Sequence, residues 1–73
     1  MDAEIIEYIV HKNNQLTKKP IKQLPLPKKT LIAGIVRGEE SIFPTEDFQL
    51  QMDDRVIIFA LPEAIGKLEK LFR

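Results

Sequence analysis

Arg37 stands where an apolar run meets a tight turn, in Thr30-Leu31-Ile32-Ala33-Gly34-Ile35-Val36-Arg37-Gly38-Glu39-Glu40-Ser41-Ile42-Phe43-Pro44. A guanidinium offers planar, paired donors that suit phosphate or carboxylate, and it stacks on flat rings. On a regular strand Leu31, Ala33, Ile35 and Arg37 alternate onto one face, an apolar strip that ends in the guanidinium. Two roles stand open for Arg37: an anion site, or an ion pair with one of the acids that follow it. The rest of the chain is poor in reactive groups. Cysteine is absent, His11 is the only histidine, and Ser41 is the only serine, without the glycines of a nucleophile elbow around it. The adjacent carboxylates Glu39-Glu40, Glu46-Asp47 and Asp53-Asp54 point to opposite sides of an extended chain, so no pair shares a site by itself. Calcium-loop spacing and soft zinc ligands are both missing. Gly34, Gly38 and Gly66 fit neither a dinucleotide fingerprint nor a phosphate loop. The residues therefore describe a non-enzyme, with no cofactor and no metal.

The elements that must position Arg37 follow from local pattern. Glu4 to Val10 is rich in β-branched and aromatic residues and reads as a strand, broken by Asn13 and Asn14. Pro20 to Leu24 fits one short helical turn, which Pro25 and Pro27 stop. Thr30 to Arg37 is a second strand, and Gly38-Glu39 turns it into a third, Glu40 to Phe43, confined to an edge by Pro44. Phe48 and Leu50 alternate with polar neighbours and should point inward. Asp54 to Leu61 is the fourth strand, apolar on both faces, as expected of a central strand covered on both sides. Pro62 opens a helix through Phe72 whose stripe is Ala64, Ile65, Leu68, Leu71 and Phe72. The fold class is α/β (α+β): a small sandwich with a mixed or antiparallel four-stranded sheet packed by helices, one domain over residues 1–73.

Composition bounds the partners. At 73 residues and 8.4 kDa a lone core is small, and no disulfide can reinforce it, so oligomerisation is the expected remedy. Eleven basic and eleven acidic residues cancel, which gives no argument for nucleic acid. The charges are segregated, however. His11 to Thr30 holds six lysines and no acid, while Glu39 to Asp54 holds six acids and no base. These read as two solvated regions that attract one another within the fold or across a dimer, with an anion site or a cation site as sharper alternatives. Apolar runs are far shorter than the roughly 20 residues of a bilayer span, and the acidic start differs from a secretory signal. A cytosolic, dimeric protein is the expectation.

The stretch from Lys19 to Ile65 resembles the TrkA C-terminal domain, the C-terminal regulatory lobe of regulator-of-potassium-conductance (RCK) proteins in potassium transport. The resemblance rests on Ile21-Lys22-Gln23-Leu24-Pro25-Leu26-Pro27, on Leu31 to Gly38, on Ile42-Phe43-Pro44-Thr45, and on Leu50 with Asp54-Arg55-Val56-Ile57-Ile58-Phe59. Lys18 and Asp53 stand where the family usually has glycine, and Asp53 must then accept a turn conformation that favours glycine. The resemblance implies a cytoplasmic, ligand-sensing module at the inner face of the cell membrane. It implies a homodimer working with a potassium channel or transporter subunit, or with the Rossmann lobe that usually precedes such domains. Some members bind cyclic di-AMP between two copies. The contacts that carry over by position are Leu31, Ile35, Arg37, Phe43 and Pro44, with isoleucine common in the family at the place of Phe43. The alternative is a purely structural dimerisation module with no ligand of its own.

Overall fold

A computed structural model describes residues 2–73. The β-branched segments form four strands: β1 (Glu4–Ile9), β2 (Thr30–Arg37), β3 (Glu40–Ile42) and β4 (Arg55–Ala60). They make one antiparallel sheet in the order β1-β4-β2-β3, so β4 is central and β3 is an edge. Gly38 makes the β2–β3 turn at a φ of 60°, open to glycine without strain. The helix α2 (Pro62–Phe72) begins with proline in its first turn and buries Ala64, Leu68 and Phe72.

Those three side chains meet Ile35, Val56, Ile58 and Ala60 of the sheet in one core, completed by Val10, Leu16, Leu24 and Leu50. Leu50 is buried as expected, and Phe48 packs half-buried beside it. The Tyr8 ring stacks on Phe72 at 4.9 Å, and His11 Nε2 lies 3.0 Å from the Phe72 carbonyl, so the end of α2 is tied to β1 and the turn after it.

One helix adds to the sequence reading, and the expected short helical turn is present. A four-residue helix, α1 (Gln15–Lys18), follows the asparagines; Asn14 accepts from the Leu16 amide at 2.9 Å and caps it rather than merely breaking the chain. The turn after Pro20 is a 3-10 turn over Ile21–Gln23. The larger correction concerns β4. Its inner residues Val56, Ile58 and Ala60 are sealed, but Phe59 is 39% exposed and Arg55 is exposed. Among the described residues the sheet is covered on one face only.

Candidate functional site

Arg37 ends β2 and Asp54 immediately precedes β4, and the pairing of Val36 with Arg55 brings the two ends together. The Asp54 carboxylate is fully buried and takes Arg37 Nε at 2.8 Å, Arg37 Nη2 at 2.9 Å and the Gln51 amide at 2.8 Å. Asp53, at a φ of 72°, makes the turn that aims Asp54 inward, and its amide donates to the Val10 carbonyl at 2.8 Å. This left-handed conformation is the one required of Asp53 by its standing in place of a glycine. Burial pushes the Asp54 carboxyl up, but the hydrogen bonds from Arg37 and the Gln51 amide, with the guanidinium charge, together hold it below its ordinary value. The same hydrogen bond raises Arg37 further. The guanidinium also lies over the Phe48 ring, 4.9 Å from its centroid.

Arg37 is therefore an ion-pair partner, and its acid is Asp54 rather than the nearer Glu39 or Glu40. The pair closes the end of the β2–β4 ladder. Among the described residues Nη1 has no protein partner, so one edge of the fork remains for another acceptor.

The strip expected along β2 is broken. Ile32 pairs with Ile58, but Gly34 pairs with Ile57, so Ala33 is an extra residue that shifts the register. Leu31, opposite Phe59, lies on the open face and is 63% exposed. Ile35, opposite Val56 and Ile42, is buried on the α2 side, the side to which the partly exposed Arg37 also turns. Leu31 and Ile35 thus do not form one floor leading to Arg37. Leu31 and Pro44 instead share a hollow of about 200 Å³ with Ile21, Leu26 and Ile32. Phe43, 87% exposed, walls a neighbouring hollow of about 230 Å³ over Gly34, with Ile57, Val36 and Ser41; Ile35 contributes from beneath. Arg37 lines neither hollow.

Among the described residues the segregated charges meet at one ion pair, Lys22 Nζ to Asp47 at 2.6 Å, between two exposed side chains. Among the described residues no three potential metal-ligating side chains converge, and no helix is long and apolar enough to cross a membrane.

Among the described residues the domain has two layers, with one sheet face uncovered by the helices and two apolar hollows along β2 and β3. The chain belongs to the TrkA-C domain family, whose model matches residues 5–73. It is 41% identical over 71 residues to the Trk system potassium uptake protein TrkA homolog 1 of Methanosarcina mazei, covering 97% of this chain and 16% of that protein. It is also 41% identical over 69 residues to the TrkA homolog of Archaeoglobus fulgidus, covering 94% of this chain and again 16% of the relative. The chain thus spans about a sixth of the length of these relatives. Among solved structures, an RCK domain with cda matches at a TM-score of 0.82 and 23% identity, covering 94% of this chain and 97% of the other. The RCK C domain of the potassium transport protein KtrA, in complex with cyclic diadenosine monophosphate, matches at 0.78 and 22% identity, covering 93% and 81%. At these identities the structural likeness is one of fold.

Proposed function

We propose that this chain is a dimeric regulatory domain of a potassium uptake or efflux system, cytoplasmic and peripheral to the inner face of the membrane, and not an enzyme. The observation that carries the reading is its similarity, over nearly its whole length, to a stretch of about a sixth of potassium uptake proteins, and to the TrkA-C family model. Its partners in that role are a second copy, the membrane subunit of the transporter, and a Rossmann lobe of the kind that accompanies such domains. The ligand is a cyclic dinucleotide, cyclic di-AMP being the first to test because the KtrA domain of the same fold was solved with it. Leu31 and Pro44 in one hollow and Phe43 at the other offer flat apolar walls for a base, with Ile35 beneath. Arg37 contributes at most its free Nη1 edge to a phosphate, since Nε and Nη2 already serve Asp54.

Calorimetric titration of cyclic di-AMP into the wild type and into Leu31→Ala and Phe43→Ala tests the ligand. One ligand per two chains is expected, with affinity lowered in both variants by about tenfold each, the loss of a good stacking or apolar contact. No heat with the wild type, from a protein that is still dimeric, favours the structural dimerisation module instead.

A further inference from the structure

The segment Gln49-Leu50-Gln51 runs beside Pro20, with which Gln49 makes an isolated antiparallel bridge. Extended geometry sends alternate side chains to opposite sides. Leu50 therefore enters the core, at 1% exposure, while Gln49 and Gln51 stay at the surface. With Asn13, Thr17 and Met52 they line a hollow of about 410 Å³ between α1 and this segment. None of these residues lines the hollows that hold Leu31, Pro44 and Phe43.

The walls of this hollow are fastened. Gln49 Nε2 donates to the Thr17 carbonyl at 2.7 Å, which ties the segment to α1, and Thr17 Oγ1 donates to Asn13 Oδ1. The Gln51 amide donates to the buried Asp54 carboxylate at 2.8 Å, so the far wall hangs on the Arg37–Asp54 pair. What is left for a ligand is narrow in chemistry. Gln49 has its side-chain nitrogen engaged and keeps Oε1 as an acceptor. The Gln51 carboxamide has no protein partner among the described residues, so it can donate and accept. Met52, 44% exposed, adds a polarisable apolar surface of the kind that meets flat rings. No charged side chain lines the hollow, so a charged ligand finds no counter-charge there. No group of three metal-ligating side chains converges among the described residues, and the space is far larger than one ion needs.

We infer that this hollow binds an uncharged planar heterocycle of the nucleobase class, by an edge that sets a donor beside an acceptor. Adenine is the base to test, because its N6 amino group and N7 present that pair and a carboxamide reads it. Gln49 Oε1 accepts from the amino group, Gln51 Nε2 donates to the ring nitrogen, and Met52 covers the ring. The volume falls within the roughly 300–1,000 Å³ of small-molecule pockets. The site lies apart from the hollows along β2 and β3, and the inference does not rest on the proposed function.

The test is a titration of the isotope-labelled chain with adenosine, followed by NMR. Saturable shifts of the Gln49 and Gln51 side-chain amide signals and of the Met52 methyl are expected, with the Leu31 and Phe43 signals unmoved. Gln51→Leu and Met52→Ala replace exposed side chains that the core does not use. Each is expected to raise the adenosine dissociation constant about tenfold, the loss of one good contact. Leu31→Ala, which lowers cyclic di-AMP affinity in the proposed function, is expected to leave adenosine binding unchanged, so the two readings fail separately. Absence of saturable shifts at Gln49 and Gln51 overturns the site. Shifts confined to Leu31 and Phe43 move the base to the other hollows and overturn it as well. Equal affinity in wild type, Gln51→Leu and Met52→Ala overturns the assigned contacts.

Discussion

The two faces of β4 differ more than its composition implies. Going along the strand, Val56, Ile58 and Ala60 sit at 0 to 1% exposure under α2, while the half-buried Ile57 and exposed Phe59 between them look out from a face that no other described element covers. Each face also holds one arginine–carboxylate pair. On the covered side Arg37 grips Asp54, which is sealed from water and satisfied by three hydrogen bonds. On the open side Arg55 and Glu7 meet at 3.2 Å with both side chains in solvent. The same chemistry therefore has different consequences. Inside, an unmatched carboxylate has nowhere to turn; outside, water replaces the partner at little cost. The difference teaches that identical side-chain chemistry depends for its energetic weight on whether a layer covers it.

The sharpest way to break the comparison is to truncate neighbours on opposite faces. Ile58→Ala should lower stability by about 2–5 kcal/mol, because it leaves a cavity in a close-packed core. Leu31→Ala, measured by urea unfolding at concentrations where the chain is monomeric, should change it by less than about 1 kcal/mol. Equal losses would mean that the open face is packed within the monomer.

The next effect is on the buried pair. Arg37→Ala should cost about 3 kcal/mol by the same measurement, since it strands the Asp54 charge. The pair also makes stability sensitive to acid. The Asp54 carboxyl titrates below its ordinary value in the folded protein, so its contribution is complete above an unfolded pKa of about 4 and is lost as pH falls through the lower folded one. Urea midpoints between pH 5 and pH 2 should therefore fall more steeply for wild type than for Asp54→Asn. Parallel curves would remove Asp54 as the cause.

The smallest expected effect is that of Glu7→Gln in the monomer, between about 0 and 1 kcal/mol, read from the same urea curves at neutral pH and reduced further by salt. A larger loss would place the Glu7–Arg55 pair in the same class as Arg37–Asp54.

Much of this was legible in the residues. β2 and α2 run over the residues that their apolar patterns mark out, because turn glycine and proline bound both segments closely. The small helix α1 was not, since four residues hold no periodicity and Asn14 serves a cap as well as it serves a turn. At the site, Arg37 was visible as a donor, but its acid lies 17 residues away and only the β2–β4 register chooses it over Glu39 and Glu40. Gly34 inside a strand was a usable sign of irregular pairing. Without it, strict alternation assigned Leu31 and Ile35 to a shared face. The apolar residues on both sides of β4 are equally consistent with a second layer of the same chain and with a partner.

The extra residue at Ala33 works as a phase switch. Before it, β2 sends odd-numbered Leu31 outward; after it, odd-numbered Ile35 and Arg37 go inward. One strand thereby has two duties, placing Leu31 on the exposed face with its first half and serving the core and the ion pair with its second. Deleting Ala33 is in consequence far from a minor trimming of a small side chain. It would restore strict alternation, swing Ile35 into water and turn Arg37 away from Asp54, so that the second half of the strand is written in the wrong phase.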